Sequence, residues 1–285
     1  MQDIIISNPG KFKQKLKKFV EAGHSNFHIL SDFDRTLTKA FYKSKKASAI
    51  ISYLRKDKGR YLTEDYSEKA HILFDKYHPI EINPNIDIKE KKEKMYEWWK
   101  KHKELLIESG FNKQLVQQAI KNMISEESLD FRENYLKFFK LLNENNIPLI
   151  IMSSSLGDLI EEFIKQKNLL TNNIQVIANI FEFNNKGKAI GIKKIIHVFN
   201  KHEMELKTLP IYKELLKRKN VLLLGDSIGD LGMIEGFPYE NLIKIGFLNE
   251  NQEESLELYK KSFDVIITND SSFDYINELL KKIIS

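Results

Sequence analysis

The stretch His28–Thr38, which reads HILSDFDRTLT, decides the fold of this chain. An apolar run leads into it and stops at two acids one residue apart, Asp32 and Asp34. Such a run is typical of a buried parallel strand, and open α/β sheets bind their ligands where these strands end. Because side chains alternate along a strand, we expect both acids to point the same way.

These two carboxylates in one small volume need a cation, a shared proton or separate roles. Separate roles beside a Mg²⁺ ion fit best: Asp32 attacks a phosphorus atom, and Asp34 protonates the leaving oxygen. The alternative is a strand-to-loop turn with two solvated acids, and other motifs must decide.

The composition excludes several classes of protein. Of 285 residues, 42% are hydrophobic and 30% are charged, as in ordinary globular proteins. No apolar run approaches the ~20 residues that span a bilayer, and the start lacks the order of a secretory signal. The chain has no cysteine, which excludes disulfides, thiolate metal sites and cysteine catalysis. We expect a cytoplasmic protein with no membrane partner.

The net charge of +5 is modest and spread along the chain. Acids interleave with the lysines, for example between residues 89 and 103, as on a solvated helix face. A nucleic-acid module would gather its basic charge on one face. We therefore expect a small phosphorylated substrate, no nucleic acid, and a monomer or weak dimer.

Between Phe41 and Ser125 the strand-like runs vanish and lysine-rich helical periodicity takes over. The candidate helices, ended by Gly59, Pro79, Pro84 and Gly110, are Ala47–Lys56, Glu64–Tyr77, Ile88–Ser109 and Lys113–Met123. About 85 residues are too many for an ordinary connection. We predict an inserted helical cap at 43–125 and a catalytic core at 1–42 and 126–285.

Strand and helix patterns alternate in the rest of the chain. The predicted strands after the first are Ile147–Met152, Gln175–Phe183 with a hairpin at NNKG, Val221–Leu224, Leu242–Ile245 and Asp264–Ile267. The predicted helices are Lys11–Ala22, Phe131–Leu142, Leu156–Lys167, Pro210–Lys217 and Phe273–Ile284. This alternation predicts an α/β fold with a doubly wound parallel sheet.

A second acidic motif, VLLLGDSIGD, places Asp226 and Asp230 after another buried strand. Mg²⁺ prefers oxygen ligands, and Asp32, the Asp34 carbonyl and Asp226 would supply them together with phosphate and water. Asp230 would act behind these ligands by fixing a water or a lysine. The alternative is a strand, turn and helix with an acidic N-cap.

Ser153, directly after the strand IPLIIM, suits a phosphate anchor because its hydroxyl lies near the start of a predicted helix. Alternatively it is an N-cap serine. A cation must also neutralise the phosphoryl oxygens. The candidate lysines lie between Lys186 and Lys207, and the pattern alone cannot choose among them.

Six segments occur in a characteristic order: DFDRTLT, HPIEI, EWWKKHKELL, MSSSLGDLIEE, VFNKHE and LLGDSIGDLGM. Together they resemble the cytosolic pyrimidine 5′-nucleotidase family (cytosolic 5′-nucleotidase type III) of the haloacid dehalogenase superfamily. The resemblance extends from about residue 27 to about residue 280, and the cap segments HPIE and EWW are the most specific to the family.

For the catalytic core, the resemblance implies Asp32 as the nucleophile and Asp34 as the acid and base. It implies Mg²⁺ at Asp32, Asp34 and Asp226, with Asp230 supporting the site. Among the lysines it selects Lys201 as a catalytic and phosphate-binding residue.

For the substrate, the resemblance implies phosphate contact by Ser153 and Ser154, and a nucleobase facing Glu81. Two departures stand out. The family commonly has glycine where this chain has Ser155, and residues 43–61 match poorly.

The resemblance implies a Mg²⁺-dependent 5′-nucleotidase that forms an aspartyl phosphate. One alternative is a phosphatase for another small ester such as phosphoserine. The other is a non-catalytic nucleotide- or nucleic-acid-binding protein, against which the four retained aspartates argue.

Trp98 and Trp99 are adjacent in the predicted cap. Neighbouring helical positions lie ~100° apart, so one tryptophan can face the core while the other faces the cleft. We expect Trp99 to stack on the base; the alternative is that both only pack the cap. Tryptophan here resembles the family branch that accepts 7-methyl-GMP as well as CMP and UMP, and a cationic purine suits its ring face.

Overall fold

The computed structural model describes residues 3–56, 58–201, 206–207 and 209–285. At its centre lies a seven-stranded sheet. Its strands, in order across the sheet, are Ile4–Ile6 (β1), Val265–Thr268 (β11), Asn241–Leu248 (β10), Asn220–Gly225 (β9), Phe27–Ser31 (β2), Leu149–Leu156 (β5) and Ile174–Asn179 (β6). Neighbouring strands run parallel except at one edge, where β1 pairs with β11 in the antiparallel sense.

Successive residues of the central strands enter two different apolar cores. In β9, Leu222 and Leu224 belong to one core, and Val221 and Leu223 belong to the other. The first core is covered by Pro9–Ala22 (α1), Tyr135–Glu144 (α5), Gly157–Gln166 (α6) and Asp274–Ile284 (α9). The second is covered by Tyr212–Leu215 (α7) and Gln252–Ser262 (α8). A sheet buried on both faces confirms the predicted doubly wound α/β fold.

A helical insertion separates β2 from α5, as the sequence predicts. It contains a 3₁₀ helix at Ile50–Arg55 and the α-helices Tyr66–Ile82 (α2), Ile88–Glu108 (α3) and Lys113–Ser125 (α4). A two-residue hairpin, Phe41–Tyr42 (β3) with Lys45–Lys46 (β4), precedes the helices, so the expectation of no strand in this stretch is wrong. The domain limits at 42/43 and 125/126 stay a prediction.

Two helix limits in the insertion differ most from the predicted ones. The helix predicted from Ala47 is a 3₁₀ helix that begins only at Ile50, because the Ala47 amide is held by the carbonyl of Ala40 at 2.7 Å, beside the hairpin. The predicted stop at Pro79 is also wrong, since α2 continues to Ile82. Proline fixes φ at a helical value and removes one hydrogen bond, a loss that packing against α3 can offset.

Two limits in the core also differ clearly from the predicted ones. The helix predicted from Phe131 begins at Tyr135, because the amide of Arg132 bonds the carbonyl of Leu37 at 3.0 Å and keeps this segment extended. The residues Ser153–Ser155 were expected to follow their strand, but β5 continues through them to Leu156.

Neither β1 nor α8 was predicted from the sequence. Strand β1 has only three residues, too few to show a period. Helix α8 reads QEESLELYKKS, in which apolar residues are sparse. The hairpin at NNKG is confirmed, as Phe181–Phe183 (β7) pairs with Ala189–Ile192 (β8). The single strand predicted at Gln175–Phe183 is wrong, because β6 and β7 belong to different sheets. Throughout the described ranges, every helix is too short or too polar to cross a bilayer.

Candidate active site

Three carboxylates converge where β2 and β9 end. Asp32 follows β2, and its amide bonds the carbonyl of Leu224 in β9 at 3.0 Å. Asp226 follows β9, and Asp230 lies in a 3₁₀ helix, Ile228–Ile234. Each of Asp32, Asp226 and Asp230 offers an oxygen, and these atoms lie within 4.8 Å of one another. The structure thus brings together acids that the sequence predicts at two strand ends.

Asp230 is fixed by its own turn. One oxygen accepts the amides of Asp226 at 3.1 Å and Ser227 at 3.0 Å, and the Ser227 hydroxyl at 3.1 Å. The other accepts the Lys201 ammonium at 3.0 Å. Lys201 also donates to Asp32, so this buried lysine joins the two acidic motifs. Its position beside Asp32 agrees with the choice of Lys201.

Gly225 permits this close approach of Asp230. A Cβ atom at residue 225 would lie 2.5 Å from the Cβ of Asp230. No side chain fits that space, so the glycine of the GDSIGD segment is needed for packing at the site.

The buried acids repel one another. Burial raises the pKa of Asp32, although the Lys201 charge opposes the rise. Burial, with the charges of Asp32 and Asp230, raises the pKa of Asp226 well above its usual range. Burial opposes charge on Lys201 too, yet Asp230 and Asp32 raise the pKa of this lysine. The cluster carries more negative charge than its lysine neutralises, which favours binding of a cation.

Asp34 lies apart from this oxygen cluster. The strand ends at Ser31, so side-chain alternation along a strand does not fix the direction of Asp34. Its carboxyl group accepts the Ile50 amide at 2.9 Å and thereby touches the first helix of the insertion. Burial and the charge of Asp32 raise the pKa of Asp34 to about 7, where a carboxyl group can both give and take a proton.

The serines lie at the end of β5, beside the start of α6. Ser153 is buried, and its hydroxyl accepts the amide of Ser155 at 3.0 Å. Ser154 is half-buried and lines a cavity. Ser155 lines it too, and its hydroxyl has no hydrogen-bond partner in the part of the chain that the structure describes.

This cavity lies between the core and the insertion. Asp34 and Ser154 line it from the core, and Glu81 and Trp99 line it from the insertion. Glu81 and His78 are joined through a carboxylate oxygen and Nδ1 at 2.8 Å. Four residues predicted from separate parts of the sequence therefore line the same cavity.

Both tryptophans line this cavity, so the expected division between core and cleft is wrong. Trp98 stacks on Tyr77, with ring centroids 5.9 Å apart and an interplanar angle of 12°. Trp99 is tilted against His102 at 5.7 Å and also packs against the core. Phe74 of α2 and Trp98 of α3 also line the cavity and widen its aromatic surface beyond the predicted Trp99.

Sequence reasoning missed three residues near the site. Arg35, inside the first motif, has Nε 3.5 Å from an Asp226 oxygen. Arg55 lines the cavity, and Arg132 is buried behind the Asp32 loop. Their signal was weak because a single arginine in a basic sequence carries no pattern. His202 and Glu203 of the VFNKHE segment lie outside the described residues.

The acidic cluster fits a hard divalent cation. Its donors are all carboxylate oxygens, two of them on acids whose pKa is raised by burial and mutual repulsion. Asp230 is largely occupied by its turn and by Lys201, so Asp32 and Asp226 have the freer oxygens. Carboxylate oxygens and an excess of negative charge suit Mg²⁺, as they suit other hard cations.

Known proteins resemble this chain over nearly its whole length. The family model described as "Pyrimidine 5′-nucleotidase (UMPH-1)" matches residues 35–284. A Homo sapiens protein described as "7-methylguanosine phosphate-specific 5′-nucleotidase" is 35% identical over 283 residues, covering 99% of this chain and 92% of the human protein. The match to the human protein includes every element that contributes to the carboxylate cluster and the cavity, whereas the family model begins directly after Asp34.

Solved structures share the architecture. A crystal structure of cytosolic 5′-nucleotidase IIIB bound to cytidine superposes with a TM-score of 0.89 at 29% identity, covering 99% of this chain and 94% of that one. A HAD family hydrolase from Salmonella enterica serovar Typhi superposes with a TM-score of 0.56 at 13% identity, covering 96% and 81%. The haloacid-dehalogenase-like fold predicted from the sequence is confirmed.

Proposed function

The chain belongs to the pyrimidine 5′-nucleotidase (UMPH-1) family and is a 5′-nucleotidase, and we propose that it hydrolyses CMP, UMP and 7-methyl-GMP with Mg²⁺ as cofactor. The observation that carries the choice of substrate is the shared cavity, with Asp34 and Ser154 on its core side and Glu81 and Trp99 on the insertion. A nucleoside monophosphate has the matching order of groups, a phosphate at one end and a flat base at the other.

In the first step, a carboxylate oxygen of Asp32 attacks the phosphorus atom and the bond to the 5′-oxygen breaks. Asp34 gives its proton to that leaving oxygen, and the nucleoside departs. Asp34 then takes a proton from a water molecule, which attacks the phosphorus of the aspartyl phosphate. Phosphate leaves, and Asp32 is restored. The raised pKa of Asp34, about 7, supports both of its roles.

Asp32, Asp226 and the backbone carbonyl of Asp34 would hold Mg²⁺, with Asp230 supporting them. When bound, the ion supplies positive charge against the phosphate and the crowded carboxylates. Asp230 keeps Lys201 in place through its 3.0 Å contact, and Lys201 in turn lies against Asp32. The Lys201 ammonium would therefore neutralise the charge of the phosphoryl oxygens near the nucleophile.

The phosphate would also contact Ser153 and Ser154 at the end of β5. For the nucleoside, we propose that Trp99 stacks on the base and Glu81 accepts hydrogen bonds from its edge. The relatives described as 7-methylguanosine phosphate-specific support 7-methyl-GMP, and the cytidine-bound relative supports a pyrimidine. The cytosolic description of the latter protein supports a cytoplasmic location.

One assay tests substrate and cofactor together. Purified protein is stripped with EDTA, and phosphate release is measured from CMP, UMP, 7-methyl-GMP, AMP, GMP and phosphoserine after Mg²⁺, Mn²⁺ or Ca²⁺ is added. We expect activity to return with Mg²⁺, to be strongest on CMP, UMP and 7-methyl-GMP, and to be weak on AMP and GMP. A preference for phosphoserine would contradict the choice of substrate, and full activity without any divalent ion would contradict the cofactor.

A further inference from the structure

Arg55 carries a positive charge into the cavity from the insertion. It is the last residue of the 3₁₀ helix Ile50–Arg55, within the segment 43–61 that matches the family poorly. Its carbonyl accepts the Ser67 hydroxyl of α2 at 2.7 Å, which anchors its backbone. Its side chain lines the same cavity as Glu81 and Trp99. The guanidinium is therefore held at a fixed place beside the expected nucleoside.

Among the described residues, this guanidinium has no carboxylate partner. In residues 3–56, 58–201, 206–207 and 209–285 it donates to the Ser52 hydroxyl and lies 5.3 Å from the ring centroid of Phe74, and it forms no ion pair. Burial lowers the pKa of Arg55, so its charge is incompletely compensated. A guanidinium has five N–H donors, and leaving most of them unpaired in a cavity that a ligand fills costs free energy. A ligand acceptor would supply the missing partner.

The neighbours of Arg55 place it at the base end of the cavity. Burial, together with the charge of Arg55, lowers the pKa of His102, whose ring contacts Trp99. Phe74, under the guanidinium, packs edge-on against Trp98 at 6.0 Å. The phosphate side of the cavity is formed instead by residues of the core, such as Ser154. The acceptor that meets Arg55 therefore belongs to the nucleoside.

Arg55 and Glu81 have complementary hydrogen-bonding chemistry. A carboxylate only accepts, and it suits the amino and imino N–H groups of a base. A guanidinium only donates, and it suits a carbonyl oxygen. Cytosine, uracil, guanine and 7-methylguanine all carry a carbonyl oxygen on the ring, whereas adenine carries none.

We propose that Arg55 is a specificity-determining residue that donates hydrogen bonds to a carbonyl oxygen of the base and so selects against adenine. This assignment rests on the proposed nucleotidase function. Arg55 would supply a hydrogen-bond donor to the base, in addition to the acceptor Glu81 and the stacking ring of Trp99. A polar group that loses its partner discriminates strongly between ligands, because the wrong base leaves the half-buried Arg55 guanidinium unpaired.

The test compares kcat/KM for 7-methyl-GMP, CMP, AMP and 4-nitrophenyl phosphate in the Mg²⁺-loaded enzyme. Arg55→Met removes the donors and keeps a similar length. We expect kcat/KM for 7-methyl-GMP and CMP to fall about ten- to hundredfold, the usual effect of a hydrogen bond to a charged group. The values for AMP and for 4-nitrophenyl phosphate, which has no base, should stay within about threefold. Lys56→Met is the matched control, because it removes the same charge from the next, exposed residue.

Each outcome supports or contradicts a defined statement. An equal loss for 7-methyl-GMP, CMP and AMP would assign Arg55 to the ribose and overturn the selection of a carbonyl oxygen. An unchanged preference over AMP would overturn any role for Arg55 in specificity. If the wild-type protein cleaved 4-nitrophenyl phosphate but no nucleotide, the proposed substrates would fail and the role of Arg55 with them. Unchanged 4-nitrophenyl phosphate turnover in Arg55→Met would show that the variant is folded.

Discussion

The buried Arg132 and the half-buried Asp270 form an ion pair, with Nη1 and Oδ1 2.9 Å apart. The same Asp270 carboxylate accepts the amides of Ala40 at 2.7 Å and Phe41 at 3.0 Å, where the chain leaves the core for the insertion. Arg132 also donates to the carbonyl of Thr36 at 2.8 Å, just after Asp34. One ion pair thus connects the loop of the proposed nucleophile to the start of the insertion.

Asp270→Asn should destabilise the protein strongly. Asparagine can still accept one amide, but the fully buried Arg132 loses its counter-charge. Breaking a buried pair in this way costs about 3 kcal/mol in the free energy of unfolding, measured by urea denaturation. Glu278→Gln is the control, because it breaks an exposed pair with Lys137 and should change stability very little. Equal effects of the two substitutions would contradict a structural role for the Arg132–Asp270 pair.

Asp32→Asn should abolish phosphate release from CMP and leave the fold intact. An amide is nearly the same size as a carboxylate but cannot form the acyl phosphate. Phosphate release and far-UV circular dichroism would be measured on the variant and on Asp75→Asn, which alters an exposed acid of α2. Normal turnover by a pure Asp32→Asn sample would rule out the proposed mechanism.

Lys201→Met should lower kcat by orders of magnitude. Lys201 contacts both Asp32 and Asp230, so its charge lies where the phosphoryl oxygens would gather more negative charge, a role typically worth about 3 kcal/mol. Lys193→Met, at an exposed lysine in the same segment, should keep the wild-type rate. A normal rate in Lys201→Met together with a low rate in Lys193→Met would assign the phosphate contact to Lys193 or Lys194.

The sequence predicts the acidic half of the site well for a simple physical reason. An apolar run that stops at an aspartate is visible locally, and parallel strands bring their carboxyl ends to one edge of a sheet. This local pattern alone was enough to predict Asp32 and Asp226 as site residues. Lys201 lies 169 residues from its partner Asp32, and no local pattern encodes that distance. Only the family resemblance selected it.

The insertion was harder to predict in detail. Its helical character is plain from periodicity, but Ile50 begins a 3₁₀ helix because the preceding hairpin and the Asp34 carboxyl group hold its backbone. Pro79 is tolerated inside α2 because that helix packs on α3. Both outcomes depend on contacts between segments, which outweigh local propensity. Arg55 was missed because a single arginine carries no pattern, and its place in the cavity depends on such contacts as well.

Acid should destabilise the protein through His102. Burial, with the charge of Arg55, lowers the pKa of this histidine from 6.5 to about 3. Below pH 6.5 the unfolded chain therefore binds a proton that the folded chain does not, so stability is lost as the pH falls toward 3. The loss is about 1.4 kcal/mol per pH unit.

The measurement is the free energy of unfolding at pH 6.5 and pH 5 in the wild type and in His102→Gln. The wild type should lose about 1–2 kcal/mol more than the variant over this interval. Other titrating groups act in both proteins and cancel in the difference. His71→Gln, at an exposed histidine of α2, should keep the wild-type slope. Parallel slopes for the wild type and His102→Gln would contradict a neutral His102.

Trp99→Ala should raise KM for 7-methyl-GMP more than KM for CMP. The methylated purine is cationic, and an indole face attracts a cation by ~0.5–2 kcal/mol, whereas cytosine gains only stacking. That difference corresponds to about a two- to thirtyfold greater loss for 7-methyl-GMP. Trp99 also packs against the core, and a general loosening of the insertion would raise both KM values. The ratio of the two KM values is therefore the decisive measurement.

Two further variants serve as controls. In Trp99→Phe the KM ratio should lie between those of the wild type and Trp99→Ala. Tyr96→Ala, at an exposed ring of the same helix, should leave the ratio unchanged. If CMP suffers as much as 7-methyl-GMP, Trp99 only packs the insertion, and the aromatic contact to the base passes to Trp98, which lines the same cavity.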